Sequence, residues 1–302
     1  MRFLAIGECM AELAPTAKND EYRLGFAGDT FNTAWYLARC APEVKVTYLT
    51  AVGDDAISEK MTAFMRDSGI SDAHVQIASG KTVGLYLISL EQGERSFSYW
   101  RGQSAARSLA SDAAALDAAM ADADLIYFSG ISLGILASDD RTTFLDGLRK
   151  ARDAGKTIVF DPNLRPKLWV SESEMIEATM QGAAVSDLVL PSFEDEADWF
   201  GDANPKATAD RYHGVGAVTA IVKNGAGPVF YSEGDVQGEI AVSPTDNLVD
   251  STAAGDSFNA GVFACSAAGA SLEDSVVYAC ALSRAVVQAR GALVPIEPPQ
   301  LP

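Results

Sequence analysis

Asp250-Ser-Thr-Ala-Ala-Gly-Asp-Ser-Phe-Asn-Ala-Gly-Val262 is the most informative stretch of the chain. Ala253, Ala254 and Gly255 let the backbone turn tightly and enter a helix, whose first amides have no partner inside the helix. Amides of that kind hold phosphate oxygens, and the helix dipole adds partial positive charge at the same place. Asp256 follows where its carboxylate can reach an attacking hydroxyl. Spacing alone also allows a plainer reading, in which Asp256 only favours a helix N-terminus as acidic residues do.

Around this stretch, β-like runs at Phe3 to Ile6, Val44 to Val52, Leu125 to Ser129, Thr157 to Asp161, Leu188 to Leu190 and Ala220 to Lys223 alternate with helical patterns. Asp112 to Met120 and Asp140 to Ala154 are examples of the helical segments. That order predicts an α/β fold with a mostly parallel sheet covered by helices. Glu12 to Ala27 and Val83 to Arg101 break the alternation, the second reading as a hairpin turned at Glu91-Gln-Gly-Glu94. Both fit a small antiparallel sheet, formed by residues 12–27 and 83–101, that can act as a lid. No repeat or low-complexity linker interrupts residues 1–302, which are read as a single domain.

Composition sets further bounds. With 302 residues and 48% hydrophobic content the chain can bury a sizeable core. Its 23 Lys and Arg against 41 Asp and Glu leave a formal charge of -18, which argues against a nonspecific grip on nucleic acid or anionic membrane. An anionic substrate must be held by a few local cations. The N-terminal apolar run is too short for a signal peptide, and charges interrupt every later apolar stretch. Cys9, Cys40, Cys265 and Cys280 show no metal spacing and read as reduced thiols of a cytoplasmic protein. His74 and His213 are far apart, giving zinc or Ser-His-Asp chemistry little support. Neither G-x-x-x-x-G-K-[ST] nor G-x-G-x-x-G occurs, which disfavours Walker-type and dinucleotide-binding proteins.

The opening stretch resembles the PfkB (ribokinase-like) carbohydrate kinase signature D-T-T-G-A-G-D-S-F-x-A-G. It matches at Asp250, Thr252, Ala254, Gly255, Asp256, Ser257, Phe258, Ala260 and Gly261, while Ser251 and Ala253 depart from it. The resemblance implies a ribokinase-like three-layer sandwich with a small antiparallel lid, and Asp256 as the catalytic base. It extends over nearly the whole chain. Gly25-Phe-Ala-Gly-Asp-Thr-Phe-Asn-Thr-Ala34 is similar to the family's sugar-contacting segment, which assigns sugar contacts to Gly28, Asp29 and Asn32. Read alone, that segment is equally a turn capped by Asp29 or Thr30. Val222-Lys-Asn-Gly-Ala-Gly227 resembles the nucleotide-facing loop, implicating Lys223, Gly225 and Gly227, and Arg290-Gly-Ala-Leu-Val-Pro295 the closing segment beside the nucleotide. Ser192 stands where the family has an asparagine in N-x-x-E, and either Asp195 or Glu196 takes the metal-proximal acidic position. The metal ligands themselves stay unassigned.

Within the family, GECMAEL, GFAGDTFNTAWYLAR, DPNLRPKLW, LPSFEDEADWFGDANP and STAAGDSFNAG most resemble bacterial 2-keto-3-deoxygluconate kinases. That resemblance implies ATP and Mg²⁺, with potassium as an option, and a sugar acid as substrate. Arg offers a bidentate match to a carboxylate, and Arg101 and Arg165 are placed to face the crevice at the sheet's carboxyl edge. Tyr86 and Tyr99, on the lid strands, supply apolar contact and a hydroxyl, and Glu12 resembles a position contacting sugar hydroxyls. A lid-sheet edge offers a route to a homodimer. The alternatives are a related kinase for fructose, ribose, a nucleoside or a phosphosugar, and a noncatalytic sugar- or nucleotide-binding protein on the same scaffold.

Overall fold

The apolar run Arg2-Phe-Leu-Ala-Ile6 forms the first strand, and its alternation divides the molecule in two. Phe3 and Ala5 enter one apolar cluster, while Leu4 and Ile6 enter another on the opposite side of the sheet. Tyr127 and Val159 repeat the first pattern, and Ile126, Phe128, Ile158 and Phe160 the second. A sheet buried on both faces needs helices on both, and the computed structural model has that three-layer form. It describes residues 1–18, 20–91, 94–245 and 247–302.

In chain order the strands are β1 (Arg2–Ile6), β2 (Met10–Pro15), β3 (Tyr22–Ala27), β4 (Lys45–Leu49), β5 (Ala51–Val52), β6 (Gln76–Ile77), β7 (Leu85–Glu91) and β8 (Glu94–Trp100). They continue with β9 (Leu125–Ser129), β10 (Thr157–Asp161), β11 (Leu188–Val189), β12 (Thr219–Val222), β13 (Val229–Glu233) and β14 (Val236–Ile240). The helices that matter for the site are α1 (Asp29–Cys40), α2 (Ala56–Asp67), α3 (Ala113–Ala121), α4 (Gly130–Gly134), α5 (Ser138–Asp153), α6 (Glu172–Ala184) and α7 (Phe193–Phe200), followed by α8 (Pro205–His213), α9 (Ala254–Ala268) and α10 (Leu272–Val286).

The large sheet runs β14-β13-β12-β11-β10-β9-β1-β4, parallel from β12 through β4 and antiparallel at the β12–β13–β14 end. Residues of α1, α9 and α10 pack on one face, and residues of α3, α5 and α8 on the other. The expected Val44 to Val52 strand is split. β4 stays in the large sheet, while β5 leaves it to pair with β6, where Gly53 lets the chain pass against Lys81. The β13–β14 hairpin was not anticipated, and Val236, Gln237 and Glu239 of β14 are exposed, so no apolar run marked it.

The second sheet has the order β3-β2-β7-β8. It is antiparallel at β2–β3 and β7–β8, but the central β2–β7 pair is parallel. Its inner face places Met10, Ala27, Tyr86 and Ile88 against Ala292 of the C-terminal segment. Leu24 and Trp100 lie on the opposite face, at 39% and 60% exposure. The expected turn at Glu91 to Glu94 has Gln92 and Gly93 outside the described residues. Among the described residues no helix is long and apolar enough to cross a membrane, and all four cysteines are free thiols.

Candidate active site

Parallel strands gather their carboxyl ends along one edge of the sheet, where α/β proteins place their ligands. Glu8 lies just beyond β1, Asp161 ends β10 with Asn163 close behind, Ser192 follows β11, and Lys223 follows β12. Hydrogen bonds tie the starts of α1 and α9 to these residues. β1 is also the switch point, since the chain proceeds to β4 on one side and to β9 on the other.

Helix α9 begins after Ala253, which provides no side-chain cap, and Asp256 is its third residue. The Asp256 carboxylate does not cap its own helix. It accepts a hydrogen bond from Asn32 Nδ2 of α1 at 2.8 Å, and Thr33 Oγ1 donates to its main-chain carbonyl at 3.1 Å. Burial pushes the Asp256 carboxyl well above the usual carboxylate range, with Asp29 and then Asp161 adding repulsion against the opposing effects of Asn32 and Lys223. A carboxyl so raised is a stronger proton acceptor than a free one.

Helix α1 also begins without a side-chain cap, at Gly28. Asp29 instead accepts a hydrogen bond from Asn163 Nδ2 at 2.7 Å, and Thr30 bonds to Tyr48, so neither residue serves as a simple cap. A Cβ at Gly28 would stand 2.1 Å from the Glu8 carbonyl oxygen, so only glycine permits this close passage of two backbones. Asn163 is itself held at a φ of 35°, a sparsely populated conformation for a non-glycine residue.

Lys223 was expected where the Ala220 to Lys223 strand meets the nucleotide-facing loop. It is 8% exposed, and its Nζ donates to Asp161 Oδ2 at 2.7 Å and to Asn259 Oδ1 at 3.3 Å. Asn259 Nδ2 bonds to the same Asp161 oxygen at 2.6 Å. A Cβ at Gly255 would lie 3.5 Å from Lys223 Nζ, so the ammonium group sits beneath the turn formed by Ala253, Ala254 and Gly255. Gly225 adopts φ of 55° in the turn after Lys223, and Gly227 closes it by donating to Asn224. Ser192 bridges to Lys223, placing the start of α7 beside the same cluster. The two acidic residues there separate cleanly. Glu196 is fully buried and bonds to Arg211 and Tyr212, whereas Asp195 faces Arg165 at 3.6 Å. Burial raises the Asp195 carboxyl, with Arg165 opposing the shift.

On the small sheet, Tyr86 donates to Glu12 within the inner face, and its ring lies 5.9 Å from that of Tyr99, which is 51% exposed. Arg101 and Arg165 are not joined to one another. Arg101 is ion-paired with Glu8, while Arg165 donates to the Leu164 carbonyl and meets Asp195. A cavity of about 270 Å³ opens between the small sheet and the C-terminal segment, lined by Glu12, Arg23, Ile88 and Arg290 among others. Asp256 does not line it, so the polar cluster rather than this cavity marks the candidate chemistry. Glu8, Asp161, Asn163 and Asn259 are cluster members that the motif reading did not single out. The usable signals were Asp161 at a strand end, followed by Pro162-Asn163, and Asn259 three residues after Asp256 on one helix face. His213 ends α8 with both ring nitrogens engaged, by the Ala217 carbonyl and Ser232 Oγ.

Comparison with known proteins agrees with this architecture. The 2-dehydro-3-deoxygluconokinase of Dickeya dadantii is 37% identical over 303 residues, covering 97% of this chain and 96% of its own length. The protein of the same name from Haemophilus influenzae is 38% identical, with coverage of 96% and 94%. Among solved structures, a PfkB protein from Polaromonas sp. JS666 superposes with a TM-score of 0.83 at 27% identity, covering 95% of each chain. The family model described as pfkB family carbohydrate kinase matches residues 2–298, and the chain therefore belongs to that family.

Proposed function

We propose that the protein transfers the γ-phosphoryl group of ATP to the 6-hydroxyl of 2-keto-3-deoxygluconate, giving 2-keto-3-deoxy-6-phosphogluconate and ADP. The observation that carries this reading is the Asp256 carboxylate, raised in pKa and held by Asn32 beside a small-residue turn that opens a helix. Asp256 takes the proton from the attacking hydroxyl, whose oxygen bonds to the γ-phosphorus as the bond to the β-γ bridging oxygen breaks. The amides at the start of α9 and the Lys223 ammonium beneath Gly255 stabilise charge on the transferring group. Names of full-length relatives at 37% and 38% identity support the choice of sugar.

Gly28, Asp29, Asn32, Tyr86 and Tyr99 contact the sugar in this reading, and Arg101 and Arg165 its carboxylate. Ser192, Gly225 and Gly227 approach the nucleotide. Among the described residues no three acidic, histidine or cysteine side chains converge as a metal cage. This fits Mg²⁺ carried largely by nucleotide phosphates and water, with Asp195 as the nearby carboxylate. Bound there, Mg²⁺ neutralises phosphate charge. The sheet β3-β2-β7-β8 serves as the lid of a single domain, and its two open edges, β3 and β8, offer a pairing surface for a second copy. Free thiols suit a cytoplasmic location.

The test is a coupled ADP-release screen over 2-keto-3-deoxygluconate, its galacto epimer, fructose, ribose, adenosine and fructose phosphates. The highest kcat/KM is expected on 2-keto-3-deoxygluconate. A clear preference for a neutral sugar would overturn the substrate assignment, and no sugar-dependent ADP release would overturn the kinase reading.

A further inference from the structure

Glu8 is 1% exposed, yet nothing in the proton transfer requires it. Its side chain accepts a hydrogen bond from Ser104 Oγ and is ion-paired through Oε2 with Arg101 Nη2. Among the described residues, Arg101 is the cation that faces it. The pair is buried, and Arg101 Nη2 lies directly against Glu8 Oε2. The space is made by Gly84, where a Cβ would stand 2.7 Å from Glu8 Oε1 and 3.3 Å from Arg101 Cβ. The Glu8 carbonyl, at the same residue, presses against Gly28. One residue at the end of β1 therefore touches both the start of α1 and the arginine that follows β8.

An arginine at the end of an edge strand has many rotamers, and ordering it on substrate binding costs affinity. Glu8 removes that freedom beforehand. A guanidinium held on one side by a buried carboxylate keeps a fixed orientation, in which its planar fork can meet a substrate carboxylate. We propose that Glu8 is a positioning residue, which holds the Arg101 guanidinium in place for the acid group of the sugar. The inference rests on the reading of Arg101 as a substrate contact.

The experiment is a kinetic double-mutant cycle with E8Q, R101A and the combined variant, run on the sugar that the wild-type protein turns over fastest. E8Q keeps the size of the side chain and an acceptor for Ser104 but removes the charge. It should raise the sugar KM about tenfold while kcat and the ATP KM stay within about twofold, a split that general loosening of the fold would not give. R101A should cost roughly ten- to hundredfold in kcat/KM. Because both changes remove one positioned group, the combined variant should be no worse than R101A within about twofold. Losses that multiply in full, or an unchanged sugar KM in E8Q, would overturn the positioning role alone. Full kcat/KM in R101A would instead overturn the assignment of Arg101, and the positioning role with it. Should E8Q fold poorly, S104A releases one side of the same carboxylate, and the inference then requires a several-fold rise in sugar KM with the ATP KM unchanged.

Discussion

Asp256→Asn should separate catalysis from stability, moving them in opposite directions. The substitution preserves the size of the side chain and an oxygen for Asn32 Nδ2, so the contact between α1 and α9 survives. What is lost is the basic carboxylate, and removal of a general base costs roughly 10²- to 10⁴-fold in rate. Stability follows from the raised pKa. Asp256 binds its proton more tightly in the folded protein than in the unfolded chain, owing first to burial and then to Asp29. Its contribution is therefore most favourable below the unfolded value of about 3.9 and is lost as pH rises through the folded pKa. As pH rises through the folded pKa, the wild-type protein takes on a buried charge there that the variant lacks. The melting temperature of Asp256→Asn should accordingly rise relative to wild type as pH increases, and a relative gain of about 1 kcal/mol would read as roughly 2 to 4 °C. The advantage should shrink as pH falls toward 4. Thermal melts at several pH values, alongside ADP-release rates and ATP affinity, make the assay. A variant that turns over normally, or whose stability relative to wild type does not rise with pH, would refute the reasoning.

Gly255→Val should slow turnover with little loss of global stability, because a branched side chain there would crowd Lys223 Nζ, which already lies 3.5 Å from the position of a Cβ; unchanged kinetics would mean that the turn does not cradle phosphate. Arg165→Ala should weaken kcat/KM on the sugar acid by roughly 1.5 to 3 kcal/mol and matter much less for a neutral analogue, with lysine rescuing only in part. Equal losses on both substrates would refute carboxylate recognition by Arg165. Glu196, pushed up to about 7 by burial against the pull of Arg211 and Tyr212, contributes stability that is lost as pH rises through that value. Denaturant unfolding should show Glu196→Gln lacking about 2–4 kcal/mol of the wild-type decline in stability between pH 5 and 8, and an identical pH dependence in both proteins would contradict it.

The layers of the fold were legible because their signals are local. Leu125–Ser129 and Thr157–Asp161 are continuous apolar runs that end up buried on both faces, and both occur as read. The β13–β14 hairpin escaped because half of β14 faces solvent. In the candidate site, Asp256 was legible because its turn needs small residues in sequence. Asp161 and Asn259 were not, since what marks them is contact across 98 positions, and Lys223 reaches Asp161 across 62. Glu8 shows the limit most plainly. Its acid group looks like any surface carboxylate until Arg101, Ser104 and Gly84 fold around it.

Product identification tests the central claim most directly. One equivalent of ATP and 2-keto-3-deoxygluconate should be incubated with the protein and Mg²⁺, and the product followed by phosphorus–proton correlation. The account predicts a single phosphomonoester whose phosphorus couples to the two C6 protons, formed in step with ADP. A phosphoryl group on another carbon, or ATP converted only to ADP and free phosphate, would contradict it.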